Sequence, residues 1–269
     1  MVNTIVADRR ARVISISWGH CDGPERDATD RRLGQDAFRA ASAAGVNVVV
    51  ASGDSGAYTC RHSKLDDLRV VGDWPSGSPY VLAVGGTYLQ RRIDGTWFDE
   101  RAWEEPFSAA ATGGGLNRVD ARPVWQRGSG VDNASSNGNR QLPDVAAIAD
   151  CDSGLHSFGQ RFDENSKPTG NAKGFGGCGT SVSAPLWAAL LALFQQYASQ
   201  SGAGQIGFIN PVLYAIAARV PANTVFHDIV LGGNLLHNAS SGWDYATGLG
   251  SPIVAPLAQA IVEYLKAQR

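Results

Sequence analysis

Short apolar segments separated by a helical pattern constrain the first third of the chain. Residues 13–17, 46–52 and 80–84 are predicted to form strands. Residues 33–44 are predicted to form a helix, which ends at Gly45. The strands are apolar almost throughout instead of alternating, which is typical of strands that are covered on both faces. The strand–helix–strand order therefore predicts an α/β fold with a mostly parallel central sheet and helices on both of its faces.

The rest of the chain continues this pattern with more loop. Residues 142–147 are predicted to form another strand, and residues 160–173 an exposed excursion between two strands. Apolar patterns after Ser181, over residues 211–218 and over residues 253–266 predict helices. We see no internal repeat or linker between these segments.

Composition argues against some classes of partner. The chain has 269 residues and is 43% hydrophobic, enough for a substantial core in one domain over 1–269. A formal net charge of −2 gives no reason to expect nucleic acid or an anionic membrane as a partner. No apolar run approaches the ~20 residues of a membrane span. Residues 1–12 are mixed and polar, unlike a signal peptide.

Four cysteines permit two disulfides in three possible pairings. Cys21 and Cys60 each follow one of two strands that we expect to be adjacent and parallel, so the strand ends should be close. Cys151 follows a later strand, and Cys178 precedes a turn of small residues. We predict the pairs Cys21–Cys60 and Cys151–Cys178, with four buried free thiols as the alternative. The absence of a Cys-x-x-Cys spacing argues against a metal site at these cysteines.

That turn delivers a serine to the start of a long helix. The segment Gly179-Thr180-Ser181 is followed by Pro185 and an apolar run to Phe194. This arrangement exposes the hydroxyl and directs the positive end of the helix at the group that the serine attacks. A helix N-cap serine is the alternative, but the surrounding glycines exceed what a cap requires. We predict that Ser181 is a catalytic nucleophile.

A second motif, Ser-Gly-Asp-Ser-Gly at residues 52–56, follows a buried strand. Taken alone, it would be an ordinary acidic turn. Together the two motifs resemble the subtilisin-fold serine peptidases. Asp54, where subtilisins have Asn, resembles the sedolisin (serine-carboxyl peptidase) family. The resemblance implies a subtilisin-like three-layer fold in which Asp54 stabilises the oxyanion. Because an ionised Asp would repel an oxyanion, Asp54 can assist only while protonated, which implies a peptidase that acts in acid.

The general base of such an enzyme is missing from the sequence. Subtilisins carry a histidine in a His-Gly-Thr motif, and none of the 5 histidines lies in one. Sedolisins use a Glu-x-x-x-Asp pair on one helix face instead. No glutamate here has Asp four residues later: Glu25, Glu100, Glu104, Glu105, Glu164 and Glu263.

In the family this pair lies upstream of the segment that resembles residues 12–19. The chain therefore resembles the C-terminal three quarters of a sedolisin catalytic domain, with the N-terminal part missing. We expect a fragment of a longer product. A natural remnant that has lost its base is the alternative.

The resemblance also implies a substrate cleft. Ser17, Trp18 and Gly19 are similar to the segment whose backbone pairs with an extended peptide as an added strand. An ordinary core aromatic is the alternative for Trp18. Three successive glycines are predicted to line the other side, because glycine permits close backbone approach: Gly113, Gly114 and Gly115. A flexible turn is the alternative for these glycines.

One calcium ion near the C-terminus is a further implication. Sedolisins bind it through two Asp side chains and several backbone carbonyls, and such hard oxygen ligands suit Ca²⁺. By register, Asp228 and Asp244 would supply the carboxylates. Ile229, Ser240 and Gly242 would supply the carbonyls. Solvated turn aspartates are the alternative.

Together these features predict an acid-acting serine-carboxyl endopeptidase that is secreted, or lysosomal, and cleaves peptides or proteins. Its other partner would be the missing N-terminal segment or a propeptide. A non-catalytic remnant or subunit that binds peptides is the alternative, while the absent histidine motif disfavours a neutral subtilisin. The chain alone is expected to be inactive. It is also expected to aggregate, because loss of an edge strand and a helix exposes apolar surface and unpaired backbone groups.

Overall fold

The computed structural model describes residues 1–22, 28–62, 64–105 and 107–269; Glu25 lies outside these residues. The helices are α1 (Val2–Asp8), α2 (Ala28–Ala43), α3 (Thr180–Gln200), α4 (Asn210–Ala217) and α5 (Val254–Ala267), with a short 3₁₀ helix at Thr59–His62. The strands are β1 (Val13–Ile16), β2 (His20–Cys21), β3 (Asn47–Ala51), β4 (Asp73–Trp74), β5 (Leu82–Arg91), β6 (Trp97–Ala102), β7 (Glu104–Glu105), β8 (Ala110–Ala111), β9 (Gly115–Ala121), β10 (Asn139–Leu142), β11 (Val145–Ile148), β12 (Leu155–Phe162), β13 (Pro168–Gly177), β14 (Phe226–His227) and β15 (Ser251–Pro252).

The central sheet has the strand order β1-β3-β5-β11, and each of these neighbours pairs in parallel. β6 adds an antiparallel strand to the outer part of β5. The register of the first pair places Val13 opposite Asn47, as expected for two adjacent parallel strands. The carboxyl ends of β1 and β3 therefore reach the same edge of the sheet.

The two faces of the sheet are covered by different helices, which explains why β3 is apolar from residue 48 to residue 51. Val48 and Val50 pack in one cluster with Phe38 of α2. Val49 points the other way, into a larger cluster with Trp187 of α3. α5 packs against α3 on that second side. The predicted three-layer α/β fold is confirmed.

Several boundaries differ from the prediction. β5 was expected over residues 80–84, but it spans Leu82–Arg91, because Gly85 and Gly86 lie within the ladder opposite β11. A Cβ on Gly85 would lie 2.8 Å from Pro143, so glycine there permits close strand packing. β11 begins only at Val145, since Pro143 lacks the N–H that a ladder requires. The excursion over 160–173 belongs to a hairpin of β12 and β13.

Both predicted disulfides are present, joining Cys21 to Cys60 and Cys151 to Cys178. The first links β2 to the 3₁₀ helix, and the second closes the base of the β12–β13 hairpin. No helix in the described part of the chain combines the length and the apolar character needed to cross a membrane.

Candidate active site

The two motifs singled out in the sequence meet at the carboxyl edge of the parallel sheet. Asp54 follows β3. The helix α3 begins at Thr180 and packs across β1, β3, β5 and β11. The backbone N–H of Thr180 donates a hydrogen bond to Asp54 Oδ1 over 2.7 Å. The Thr180 hydroxyl lies 2.7 Å from the same oxygen. Residues 126 positions apart in sequence are thus held in direct contact.

One cavity contains most of the predicted catalytic and cleft residues. Its walls include Ser17, Trp18 and Gly19, which continue from the end of β1, together with Asp54 and Ser181. The Trp18 ring is 68% exposed, so it is not a core aromatic. The side chains of Asp54 and Ser181 are exposed as well. An extended peptide could therefore reach the hydroxyl from solvent along the end of β1.

The hydroxyl of Ser181 is held against the backbone of the segment after β1. Ser181 Oγ donates to the carbonyl oxygen of Ser17 over 3.4 Å, and Ser17 Oγ donates to the carbonyl oxygen of Ser181 over 2.9 Å. Within the described residues, no histidine or carboxylate is hydrogen-bonded to Ser181 Oγ. The geometry thus includes an exposed serine hydroxyl and a carboxyl in the same cavity, and no basic group of the described residues is hydrogen-bonded to that hydroxyl.

A glycine is required next to Asp54. Gly179 has a φ of 84°, in the left-handed region that favours glycine. A Cβ on Gly179 would lie 2.6 Å from Asp54 Oδ2, so any side chain there would displace the carboxyl. The N–H of Gly179 donates to the carbonyl oxygen of Ala149 over 2.6 Å, which fixes the turn against the end of β11. The small-residue turn is therefore part of the site's geometry.

The cavity also holds residues that sequence reasoning missed. His20 lies beside Trp18, with ring centroids 5.0 Å apart in an edge-on arrangement. Asp73 is only 5% exposed, and its carboxylate lies beneath Gly19 and Gly53. These side chains converge because β2 and β4 form an antiparallel pair, with His20 opposite Trp74. No local pattern in the sequence marks that pairing.

The three glycines predicted to line the cleft lie elsewhere: Gly113, Gly114 and Gly115 are buried and are not among the residues lining this cavity. The N–H of Gly113 donates to the carbonyl oxygen of Gly53 over 2.8 Å, and Ser52 Oγ donates to the carbonyl oxygen of Gly113 over 2.7 Å. These bonds support the segment that carries Asp54 from behind. Contact of the glycines with substrate stays a prediction.

Two of the predicted calcium residues, Asp228 and Gly242, line a second cavity that shares no lining residue with the first. Asp228 accepts the N–H of Gly242 over 3.0 Å, and Asp244 accepts the N–H of Ser240 over 2.9 Å. Both carboxylates thus face the 240–242 loop, and Ile229 is buried beside Asp228. Burial raises the pKa of Asp244 to about 6, against hydrogen bonds from Ser240, Thr247 and Ala246 that lower it.

The oxygen ligands in this region are of the kind that a hard cation prefers. Among the described residues, no group of three or more His, Cys, Asp or Glu side chains could hold a metal ion. A site of two carboxylates completed by backbone carbonyls would not form such a group, and oxygen is the ligand that Ca²⁺ prefers. The residues present therefore fit the predicted ion.

Comparisons with known proteins identify the family of this chain. The model of the subtilase family matches residues 2–210. Kumamolisin from Bacillus sp. (strain MN-32) is 36% identical, over 97% of this chain and 45% of its own length. Sedolisin from Pseudomonas sp. (strain 101) is 32% identical, over 96% of this chain and 42% of its own length. The chain thus spans less than half the length of these curated relatives.

A solved structure of a Pseudomonas sedolisin, described as a serine-carboxyl proteinase in complex with two molecules of pseudo-iodotyrostatin, matches with a TM-score of 0.75 at 29% identity. The match covers 99% of this chain and 68% of that chain. The family model, the sequence relatives and the solved structure therefore indicate the same family. The chain belongs to the subtilase family, and its resemblance to the sedolisin group is confirmed.

Proposed function

We propose that the protein to which this chain belongs is an acid-acting serine-carboxyl endopeptidase, of whose catalytic domain residues 1–269 form a large part. The observation that carries the proposal is the contact of the Asp54 carboxyl with the turn that presents Ser181, in one cavity with the edge after β1. The relationship to serine peptidases supports the reaction class. Peptides or proteins are the substrates.

In this proposal the oxygen of Ser181 attacks the carbonyl carbon of a peptide bond. A carbon–oxygen bond forms, the carbonyl electron pair moves to the oxygen, and the serine proton passes to a carboxylate base. Protonated Asp54 donates a hydrogen bond to the oxyanion. Collapse of this intermediate breaks the C–N bond, and the base returns the proton to the leaving amine. Water then hydrolyses the acyl-enzyme by the same route.

The base is proposed to be the Glu of a Glu/Asp pair outside this chain, in an N-terminal segment or partner polypeptide. No carboxylate of the described residues contacts Ser181 Oγ, which is why the chain alone is proposed to be inactive. Ser17, Trp18 and Gly19 are proposed to bind the substrate backbone as an added strand. Gly113, Gly114 and Gly115 are proposed to border the cleft from behind.

Calcium is proposed as a structural ion. Asp228 and Asp244 would hold it with their carboxylates, and Ile229, Ser240 and Gly242 with their carbonyls. When bound, the ion would neutralise two carboxylates that face the same loop. The proposed location is outside the cell or in an acidic compartment such as the lysosome. The two disulfides support a location in an oxidising environment.

The decisive experiment compares Ser181→Ala with the unmodified protein, using the longest natural polypeptide that contains this chain. We expect peptide hydrolysis to have an acid optimum and kcat to fall by about 10⁴-fold or more in Ser181→Ala. Full turnover in that variant would exclude Ser181 as the nucleophile.

A matched variant, His20→Gln, tests the neutral subtilisin alternative. His20 lies in the same cavity, so we expect a change mainly in KM. A loss of kcat as large as that of Ser181→Ala, with a neutral optimum, would instead assign the base to this histidine.

The second candidate is a peptide-binding protein that does not cleave. It is favoured by one observation, that the Ser181 hydroxyl contacts a backbone carbonyl and no base among the described residues. The intact mass of the native protein separates the two. A species on the order of 10 kDa heavier than this chain, from about 90 further residues, leaves room for the Glu/Asp pair. A mass equal to these residues, with peptide binding but no hydrolysis, favours the second candidate.

A further inference from the structure

Thr180 makes two contacts to a single oxygen of Asp54. Its backbone N–H and its hydroxyl each lie 2.7 Å from Asp54 Oδ1. The Thr180 side chain is only 1% exposed, whereas the Asp54 side chain is exposed. A buried residue therefore holds one oxygen of a carboxyl that belongs to an exposed residue lining the cavity.

The backbone contact favours one oxygen of Asp54 as the site of its proton. An amide N–H always donates, so Asp54 Oδ1 remains an acceptor whether the carboxyl is ionised or neutral. A carbonyl oxygen accepts two hydrogen bonds, whereas an O–H oxygen is the weaker acceptor and has one direction occupied by its own hydrogen. When the carboxyl is neutral, two donors on Oδ1 therefore favour the hydrogen on Oδ2.

The hydroxyl of Thr180 reinforces this assignment. The N–H of Gly53 donates to Thr180 Oγ1 over 3.2 Å, so this hydroxyl oxygen is already an acceptor. Its single hydrogen is left to donate, either to Asp54 Oδ1 over 2.7 Å or to the carbonyl oxygen of Gly53 over 3.2 Å. The shorter contact leads to the carboxyl, and charge-assisted hydrogen bonds are the stronger ones.

The other oxygen of Asp54 is left available. Within the described residues, the hydrogen bonds to the Asp54 carboxyl end on Oδ1 and none ends on Oδ2, and a Cβ placed on Gly179 would lie 2.6 Å from Oδ2. Asp54 and Ser181 line the same cavity. A hydrogen on Oδ2 is thus free to be donated to a group bound in that cavity.

We propose that Thr180 is a positioning residue that keeps Asp54 Oδ1 as an acceptor and so directs the carboxyl proton to Oδ2, from which it is donated to the oxyanion. The inference rests on the proposed function of Asp54 and adds the residue that determines the orientation of its acid group. Without the hydroxyl, the carboxyl rotates more freely and presents its donor less often.

The kinetic test uses Thr180→Val and Thr180→Ser in the longest natural polypeptide that contains this chain. We expect Thr180→Val to lower kcat by about 10-fold with KM within about twofold, since the loss falls on the transition state. Thr180→Ser keeps the hydroxyl and should restore most of kcat.

Ser183→Ala is the matched control. Ser183 Oγ is buried one turn further along α3 and donates to the carbonyl oxygen of Ala147 over 3.0 Å, without touching Asp54. We expect Ser183→Ala to lower the melting temperature and leave kcat unchanged. An equal loss of kcat in both variants, an unchanged kcat in Thr180→Val, or no recovery in Thr180→Ser would overturn the proposal.

A second measurement is independent of catalysis. The proton chemical shift of the Thr180 amide, followed by NMR in the longest natural polypeptide that contains this chain, should remain that of a hydrogen-bonded amide across the protonation of Asp54. The transition is identified by its absence in Asp54→Asn. An upfield move to the range of unpartnered amides on protonation would place the proton on Oδ1 and overturn the assignment. Because this shift needs no peptidase activity, it separates failure of this inference from failure of the proposed function.

Discussion

Asp144 is a fully buried carboxylate that accepts hydrogen bonds from several different residues. Arg140 contacts it through both terminal nitrogens, at 2.7 Å and 2.5 Å, and both side chains are 0% exposed. Asn210 and Tyr214 of α4 also donate to it, over 3.0 Å and 2.9 Å. Burial, followed by the charge of Asp144, raises the pKa of Tyr214 well above its ordinary value, so the phenol stays a donor. The pair thus joins the start of β11 to α4.

Replacing Arg140 by Met is expected to lower the free energy of unfolding by about 3–5 kcal/mol, because it leaves a buried carboxylate without its counter-charge. Urea denaturation at neutral pH measures this loss. Arg39→Met is the control, since the Arg39–Asp36 pair lies on the surface with side chains 64% and 50% exposed, and such pairs contribute little. Equal losses in the two variants would contradict the argument.

At the scale of elements, the Cys151–Cys178 disulfide closes the β12–β13 hairpin two residues before α3. The two cysteines are 27 positions apart. Changing both to Ala should lower stability by about 3–4 kcal/mol on the loop-entropy estimate. It should also lower kcat in the longest natural polypeptide, because Gly179 and Thr180 follow directly. Thermal unfolding and peptide hydrolysis measure the two effects.

The other disulfide is the control. Cys21 and Cys60 are 39 positions apart, so removing their bond should cost about 4 kcal/mol on the same estimate. This bond lies at the β2 wall of the cavity and does not adjoin α3, so its loss should change KM more than kcat. The reverse pattern would show that the hairpin does not hold the serine turn.

The proposed calcium site, at the 240–242 loop and the two carboxylates that face it, predicts that the stability of the protein depends on Ca²⁺. At a free Ca²⁺ concentration of about 100 times Kd, binding should raise the free energy of unfolding by about 2.7 kcal/mol. Thermal unfolding with Ca²⁺ and with EDTA measures this shift, and Asp228→Asn should reduce it strongly. A melting temperature that does not respond to either condition would rule out the ion.

Elements with strong local patterns could be predicted from the sequence, whereas those that depend on distant partners could not. β3 and α3 were found because apolar periodicity is local. The extension of β5 was missed because Gly85 and Gly86 read as a turn until β11 packs against them. In the site, Asp54 and Ser181 carry motifs, but Asp73 and His20 enter the cavity only through the β2–β4 pair.

For the molecule as a whole, β1 is the exposed edge of the central sheet. Within the described residues it pairs with β3 alone, and Ser15 is exposed at its centre. Unpaired strand edges promote association between chains. We expect the isolated chain to self-associate with rising concentration, and Ser15→Lys to weaken this. Sedimentation velocity measures it; a monomer at about 100 µM in both forms would contradict the expectation.

The closed base of the β12–β13 hairpin has a consequence for engineering the chain. Cys151 and Cys178 join the two ends of the β12–β13 hairpin. Changes in the outer part of the hairpin should therefore have little effect on the position of the serine turn. We therefore expect the exposed outer part of this hairpin to tolerate replacement. Its length and composition can be varied, or a foreign binding loop can be grafted into it. The Cys151–Cys178 disulfide should keep the geometry around Gly179 unchanged.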